Sequence, residues 1–166
     1  FCDKIPPFFA RQDAYNLVFA PHIRRFDRNR TAGEMLRRRF AGCPHLLIVP
    51  GSTRSVDMTY TMAADIYLGD VSSQVAEFMI RPRPCVFLNA HDARWENDPN
   101  YSFWQLGEVM DDPERLADAL DNAFLNHPLF RDRQKAYFSE TFELPDNRPT
   151  APAAADAMVD YLRRCA

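Results

Sequence analysis

The stretch Ala63-Ala64-Asp65-Ile66-Tyr67-Leu68-Gly69-Asp70-Val71-Ser72-Ser73 decides the fold. Its middle, Ile66-Tyr67-Leu68, is short, apolar and β-branched or aromatic, which suits a buried strand. Gly69-Asp70 ends that strand, and the pattern predicts a helix over Ser73 to Ile80 that packs through Val75, Phe78 and Met79. A strand that runs through a polar turn into a helix is the repeating unit of an open parallel sheet. Ligands of such sheets bind beyond the carboxyl ends of the strands, where helix N-termini point.

The same unit recurs on both sides. Leu17 to Ala20 is an apolar run stopped by Pro21, His45 to Val49 is closed by Pro50-Gly51, and Cys85 to Leu88 follows Pro82 and Pro84. A fifth strand is expected within Phe103 to Met110, after an irregular, polar and aromatic segment from His91 to Ser102. Thr31-Ala32-Gly33-Glu34 has the form of a capping box, opening a helix that runs to about Phe40 and ends near Gly42. A short helix is predicted over Asp57 to Ala63. Asp112-Pro113-Glu114 opens another, with Leu116, Ala119, Leu120, Ala123 and Phe124 on one face. A separate helix is expected near Pro128, and a last one carries Ala155, Met158, Val159 and Leu162 at helical spacing. The expected fold is therefore α/β: a Rossmann-like, doubly wound parallel sheet with helices on both faces, in one domain over 16–166. Residues 1–15, with Pro6-Pro7 inside, read as an extended linker or lead-in.

Composition is that of an ordinary globular chain, 46% hydrophobic and 26% charged over 166 residues. No apolar run approaches the ~20 residues that cross a bilayer, and the N-terminus lacks a signal-peptide pattern. The opening at Phe1 leads to the expectation of a processed product or an excised piece. The net charge of -3 is unevenly spread. Eight Arg and two acids lie between Ala20 and Arg54, whereas nine acids and two Arg lie between Asn89 and Asp121. Overall acidity, and a basic block without interleaved aromatics, argue against nucleic-acid binding. The basic block fits a phosphate-bearing small ligand or a solvated helix face. Four scattered Cys form no C-x-x-C pair, so no zinc or redox motif is expected, and Cys43 and Cys85 read as core residues.

Three strand ends carry polar groups: Pro21-His22-Ile23-Arg24, Gly51-Ser52-Thr53-Arg54 and Asp70-Val71-Ser72-Ser73. At the third, two hydroxyls and free amides at a helix start favour an anion. Simple helix capping by Ser72 or Ser73 accounts for the same residues. Asp70 repels phosphate and is expected to fix the turn by accepting backbone hydrogen bonds. Glu77, one helical turn beyond Ser73, suits a ribose diol. His22 is placed to donate to a phosphate or assist acceptor deprotonation. His45 reads as structural, His127 as part of a helix junction, and His91 as part of a wall over the ligand. No group of residues has metal-ligand spacing, and no metal is expected. The glycines of G-x-S-x-G, the Lys of a P-loop and a G-x-G-x-x-G run are all absent.

The stretch that opens this section resembles the "AD-strand-DxSS" segment of CDP-glycerol glycerophosphotransferases, which build teichoic-acid-like polymers on a GT-B-type framework. Ala20-Pro21-His22-Ile23-Arg24 is similar to that family's "APTxR", Arg83-Pro84-Cys85-Val86-Phe87 to its "RP-strand", and Asn126-His127-Pro128-Leu129-Phe130 with the closing helix to its tail. Pro50-Gly51 departs from the family's His-Pro pair. The resemblance covers roughly residues 16 to 166. It implies the C-terminal, donor-binding half of a glycosyl- or glycerophosphotransferase acting toward a cell-envelope or polysaccharide acceptor. The donor's diphosphate, CDP- or UDP-linked, would lie on Ser72, Ser73 and Arg24, with no further cofactor; Arg54, at the end of the second strand, is a further candidate to neutralise it. The implied partner is an N-terminal acceptor domain. The implied setting is cytoplasmic, with peripheral membrane association of the whole enzyme. A non-catalytic nucleotide- or anion-binding module and a UDP-sugar 2-epimerase-like half remain open as alternatives.

Overall fold

The structure, a computed structural model, describes residues 3–22, 26, 30–51, 57–142 and 149–165. It is mixed α/β, with two small parallel sheets. Strands β1 (Leu17–Phe19) and β2 (Leu46–Ile48) form the first, pairing Leu17 with Leu46 and Phe19 with Ile48. In the second, β4 (Cys85–Leu88) lies between β3 (Tyr67–Gly69) and β5 (Glu108–Met110). Every pairing is parallel.

Period-two alternation sorts the strand residues into two cores. Leu17 and Phe19, Leu46 and Ile48, Val86 and Leu88, and Met110 share one cluster, so both sheets pack into the same apolar mass. Cys85 and Phe87 point the other way, into a second cluster with Val75, Phe78 and Trp104. This explains why β4 is buried at all four positions and reads as a continuous apolar run. Helices pack on both faces of the second sheet. Helix α5 (Leu116–Thr141) covers one through Leu116, Leu120 and Ala123, and α4 (Gln74–Phe78) covers the other through Val75 and Phe78. On the first sheet Val18 and Leu47 face outward and stay 41% and 48% exposed.

Helices α2 (Arg30–Arg39) and α3 (Thr59–Ala63) fall where the sequence places them, but four expectations need correction. The lead-in is no linker: Ile5–Phe9 forms α1, and Ile5 and Phe9 are buried in the first cluster. Pro6 and Pro7 suit its first turn, where amides have no intrahelical acceptor to lose. The capping box does not form, because Thr31 is already inside α2 and the Glu34 carboxylate accepts from Arg37 at 2.8 Å instead. Helix α4 is only five residues long and tightens at its end, where Ile80 N–H donates to Glu77 O at 3.2 Å. Pro128 starts no separate helix, because α5 runs through it. Pro128 has no N–H to donate to the Phe124 carbonyl one turn back, and both residues are exposed, so water can serve that carbonyl.

The final helix, α6 (Thr150–Cys165), has no buried residue. Of the thiols, Cys85 is buried and Cys43 packs against the first core, as expected of core residues. His45 is structural too: its Nε2–H donates to the Phe9 carbonyl at 2.9 Å, tying α1 to the head of β2.

Candidate functional site

A cleft of about 230 Å³ opens beyond the carboxyl ends of β3 and β4. Its walls include Asp70 and Val71 from the turn after β3, His91 from the loop after β4, and Asn100, Tyr101 and Trp104 from a later 3-10 segment.

The turn after β3 is held from within. Val71 N–H donates to Asp70 Oδ1 at 2.7 Å, the turn-fixing bond expected of Asp70. Gln74 N–H donates to Ser72 Oγ at 3.2 Å, so Ser72 acts in the local turn. Beneath it, Tyr67 Oη–H donates to the Asp70 carbonyl at 3.3 Å. Burial, reinforced by Cys85 and Asp70, pushes this phenol well above its ordinary value, although a hydrogen bond with Ser72 opposes the shift. Tyr67 thus remains a neutral donor under the turn. Its ring needs the space that Gly69 leaves, since a Cβ there would stand 2.6 Å from Tyr67 Oη.

The loop after β4 is pinned by one buried amide. Asn89 Oδ1 accepts from Ala93 N–H at 2.8 Å, and Asn89 Nδ2 donates to Ala93 O at 3.1 Å. Asp92 takes a φ of 51° inside this closed loop, a region Asp tolerates better than most residues. The loop thereby presents His91, exposed, at the cleft. The third wall starts at Asp98, whose carboxylate accepts from Asn100 N–H at 2.9 Å and Asn100 Nδ2 at 2.8 Å. Tyr101 then lies 4.6 Å from Trp104 between ring centroids, and Trp95 6.1 Å from it on an edge-on contact. Trp104 is 1% exposed, yet its indole N–H has no hydrogen-bond partner among the described residues.

Two buried polar side chains support these walls from behind. The Arg83 guanidinium donates to the carbonyls of Thr61, Met62 and Ala64 at the end of α3 and to Phe78 O at 2.8 Å at the end of α4. It also lies 3.7 Å over the Phe78 ring. Burial, then the neighbouring Arg81, lowers its pKa. Gln134 of α5 donates to Arg83 O at 2.9 Å and Leu106 O at 2.7 Å. Its Oε1 is left to accept from His127 Nε2–H at 3.1 Å, which fixes that histidine's tautomer. His127 is therefore inside a continuous helix rather than at a junction.

Of the residues singled out in the sequence, Asp70 and His91 line the cleft. Ser72 and Ser73 adjoin it in the same turn but are not in its walls, and Ser73 makes no side-chain cap bond with α4. Glu77 does not line it either; its Oε2 is buried without a hydrogen-bond partner among the described residues. His22 follows β1 and is exposed, and Gly51 follows β2 with a φ of 150° that favours glycine. Arg24, Ser52 and Arg54 lie outside the described residues. No group of His, Cys, Asp and Glu among the described residues could hold a metal ion, and no described helix is long and apolar enough to cross a membrane.

Sequence reasoning missed Asn89, Arg83, Gln134 and Trp104, whereas Asn100 and Tyr101 fall in the irregular segment from His91 to Ser102 that was expected to wall the ligand. A polar residue directly after a four-residue apolar strand was the available signal for Asn89. Nothing local distinguishes Gln134 from a surface glutamine. No family model matches the chain, and neither does any curated protein or solved structure.

Proposed function

We propose that this chain binds the nucleotide of an activated donor, as the donor-binding part of a transferase that moves a glycerophosphate or glycosyl group to an envelope or polysaccharide acceptor. The observation that carries the reading is the cleft itself. The turn expected to meet a ligand opens into it, at the carboxyl ends of two parallel strands, beside an aromatic ring and a carboxamide. At about 230 Å³ it is smaller than the ~300–1,000 Å³ of whole-ligand pockets. It suits the ribose or base of a nucleotide, with Tyr101 against the ring and Asp70 or Asn100 toward hydroxyls.

The walls include the Asp70 carboxylate and no Lys or Arg, so the cleft favours the uncharged end of the donor. The diphosphate would then fall to Ser72 and Ser73, with Arg24 and Arg54 supplying the countercharge and His22 the proton-transfer group. The ribose role expected of Glu77 requires its side chain to turn outward, since its unpartnered Oε2 is buried away from the cleft walls. In this reading the two sheets are parts of one doubly wound, Rossmann-like sheet, supported by their shared core. An acceptor domain completes the enzyme, no further cofactor takes part, and the location is cytoplasmic with peripheral membrane association.

Calorimetric titration of CDP, UDP, GDP and inorganic phosphate into the wild type, Tyr101→Ala and a Ser72→Ala/Ser73→Ala double variant tests this. At least one nucleoside diphosphate should bind at millimolar concentration or better, and more weakly to both variants. A folded sample that takes up none of them overturns the reading.

A further inference from the structure

On the other side of Trp104 lies a second, larger cavity of about 470 Å³, which the nucleotide reading does not use. It is lined by Trp95, Trp104 and Phe130 together with Glu96, Glu108 and Arg133. We infer that it binds a neutral saccharide, with a pyranose ring against Trp95 and its hydroxyls distributed among Glu96, Glu108 and Arg133.

Three features converge on that chemistry. The cavity combines apolar ring surface with charged hydrogen-bonding groups, as a pyranose requires: its C–H face is apolar and its rim is a ring of hydroxyls. Trp95 is half-buried, so part of its surface is open. The polar groups are held in place. Asn126 Nδ2 donates to Glu108 Oε1 at 2.8 Å, and Arg133 Nη1 donates to Gln105 O at 2.9 Å. Trp104, 1% exposed and in the wall common to both cavities, gives the site a rigid apolar floor.

Charge narrows the class. Two carboxylates against one guanidinium leave the lining net negative, which disfavours phosphates, uronic acids and nucleotides. Arg133 in turn opposes a cation in an aromatic cage. Neutral hydroxyl donors and acceptors are what remain. The volume falls in the range of small-molecule sites and suits one or two sugar rings.

The test is saturation-transfer NMR on the full 166-residue chain. The probes are methyl glycosides of glucose, galactose, mannose and N-acetylglucosamine, with maltose and cellobiose, and choline as the cationic control. Saturation should reach the ring protons of at least one sugar. Trp95→Ala should weaken that sugar's binding by about tenfold, a 1.4 kcal/mol change. Glu96→Gln, at an exposed position that leaves the core untouched, should weaken it measurably. Transfer to none of the sugars, transfer to choline alone, or transfer unaltered in both variants overturns the assignment. The inference stands apart from the nucleotide reading, because Glu96 lines only the second cavity, so Glu96→Gln should weaken sugar binding and leave nucleoside diphosphate binding unchanged.

Discussion

The Asn89 side chain and the Ala93 backbone hold each other twice, Oδ1 to N–H at 2.8 Å and Nδ2 to O at 3.1 Å. With Asn89 buried, that pair sets the path of the loop that brings His91 to the cleft. Asn89→Ala should cost about 1–3 kcal/mol in urea unfolding, because two backbone groups lose their partner. Asn89→Asp retains the acceptor and loses the donor, and should fall between. Asp92→Gly, relieving the positive φ, should be neutral or stabilising.

Among the described residues Arg83 makes no salt bridge; its donors go to carbonyls at the ends of α3 and α4. Arg83→Met should destabilise by on the order of 3 kcal/mol, since one buried and several part-buried carbonyls lose their donor. Arg83→Lys should recover little of this, because an ammonium cannot reproduce the planar fork. Denaturation midpoints of the two variants check both statements.

Burial pushes the Cys85 thiol and the Tyr67 phenol above their ordinary values of 9.0 and 10.0. Groups whose folded pKa is raised lend stability below the unfolded pKa and lose it as pH climbs, because the unfolded chain releases their protons first. Stability should therefore decline from about pH 9, where the unfolded thiol ionises, and more steeply beyond pH 10. Cys85→Ala should flatten the earlier part of that decline in unfolding curves measured across this range.

Pro128 is exposed within α5, so its cost lies in backbone conformation and one absent bond. Pro128→Ala should raise stability by about 1–3 kcal/mol. Gly107 is the opposite case: a Cβ there would stand 2.5 Å from the Cys85 carbonyl oxygen, a backbone atom of the central strand. Gly107→Ala should destabilise by about 1–3 kcal/mol. Thermal unfolding of both variants reads the two signs.

Glu77→Gln tests whether the Glu77 carboxylate, buried away from the cleft walls in the structure, turns out to meet a ribose. It should weaken UDP or CDP binding while leaving 2′,3′-dideoxy analogues unchanged, as measured by calorimetry. Equal effects on both would take Glu77 away from the ribose.

Strands β1 to β4 were legible because each is an apolar run with Pro or Gly close to one end. Cys85–Leu88 was placed to the residue, and β1, β2 and β3 to within a residue or two. The Asp70 turn was legible for the same reason, as a polar break between two apolar segments. What stayed hidden depends on partners remote in sequence. Ile5 and Phe9 look like a linker until His45, 36 residues on from Phe9, is seen to bond α1. Gln134 meets Arg83 across 51 residues. Pro128 reads locally as a break, and only the packing of α5 along the sheet carries the helix through it. The cleft walls were half visible: the Asp70 side follows from a strand end, whereas Asn100, Tyr101 and Trp104 arrive from a segment without a periodic pattern.

Arg83 closes two helices that precede it in the chain, while itself standing at the head of β4. During synthesis α3, α4 and the turn between them therefore remain unfinished until residue 83 has emerged and its strand has docked. Amide protons of α3 and α4 should exchange with solvent together with those of β4, as one cooperative unit rather than as two fraying turns. The segment that shapes the ligand cleft is in this sense completed from downstream, and a nascent chain ending before Arg83 has no finished site.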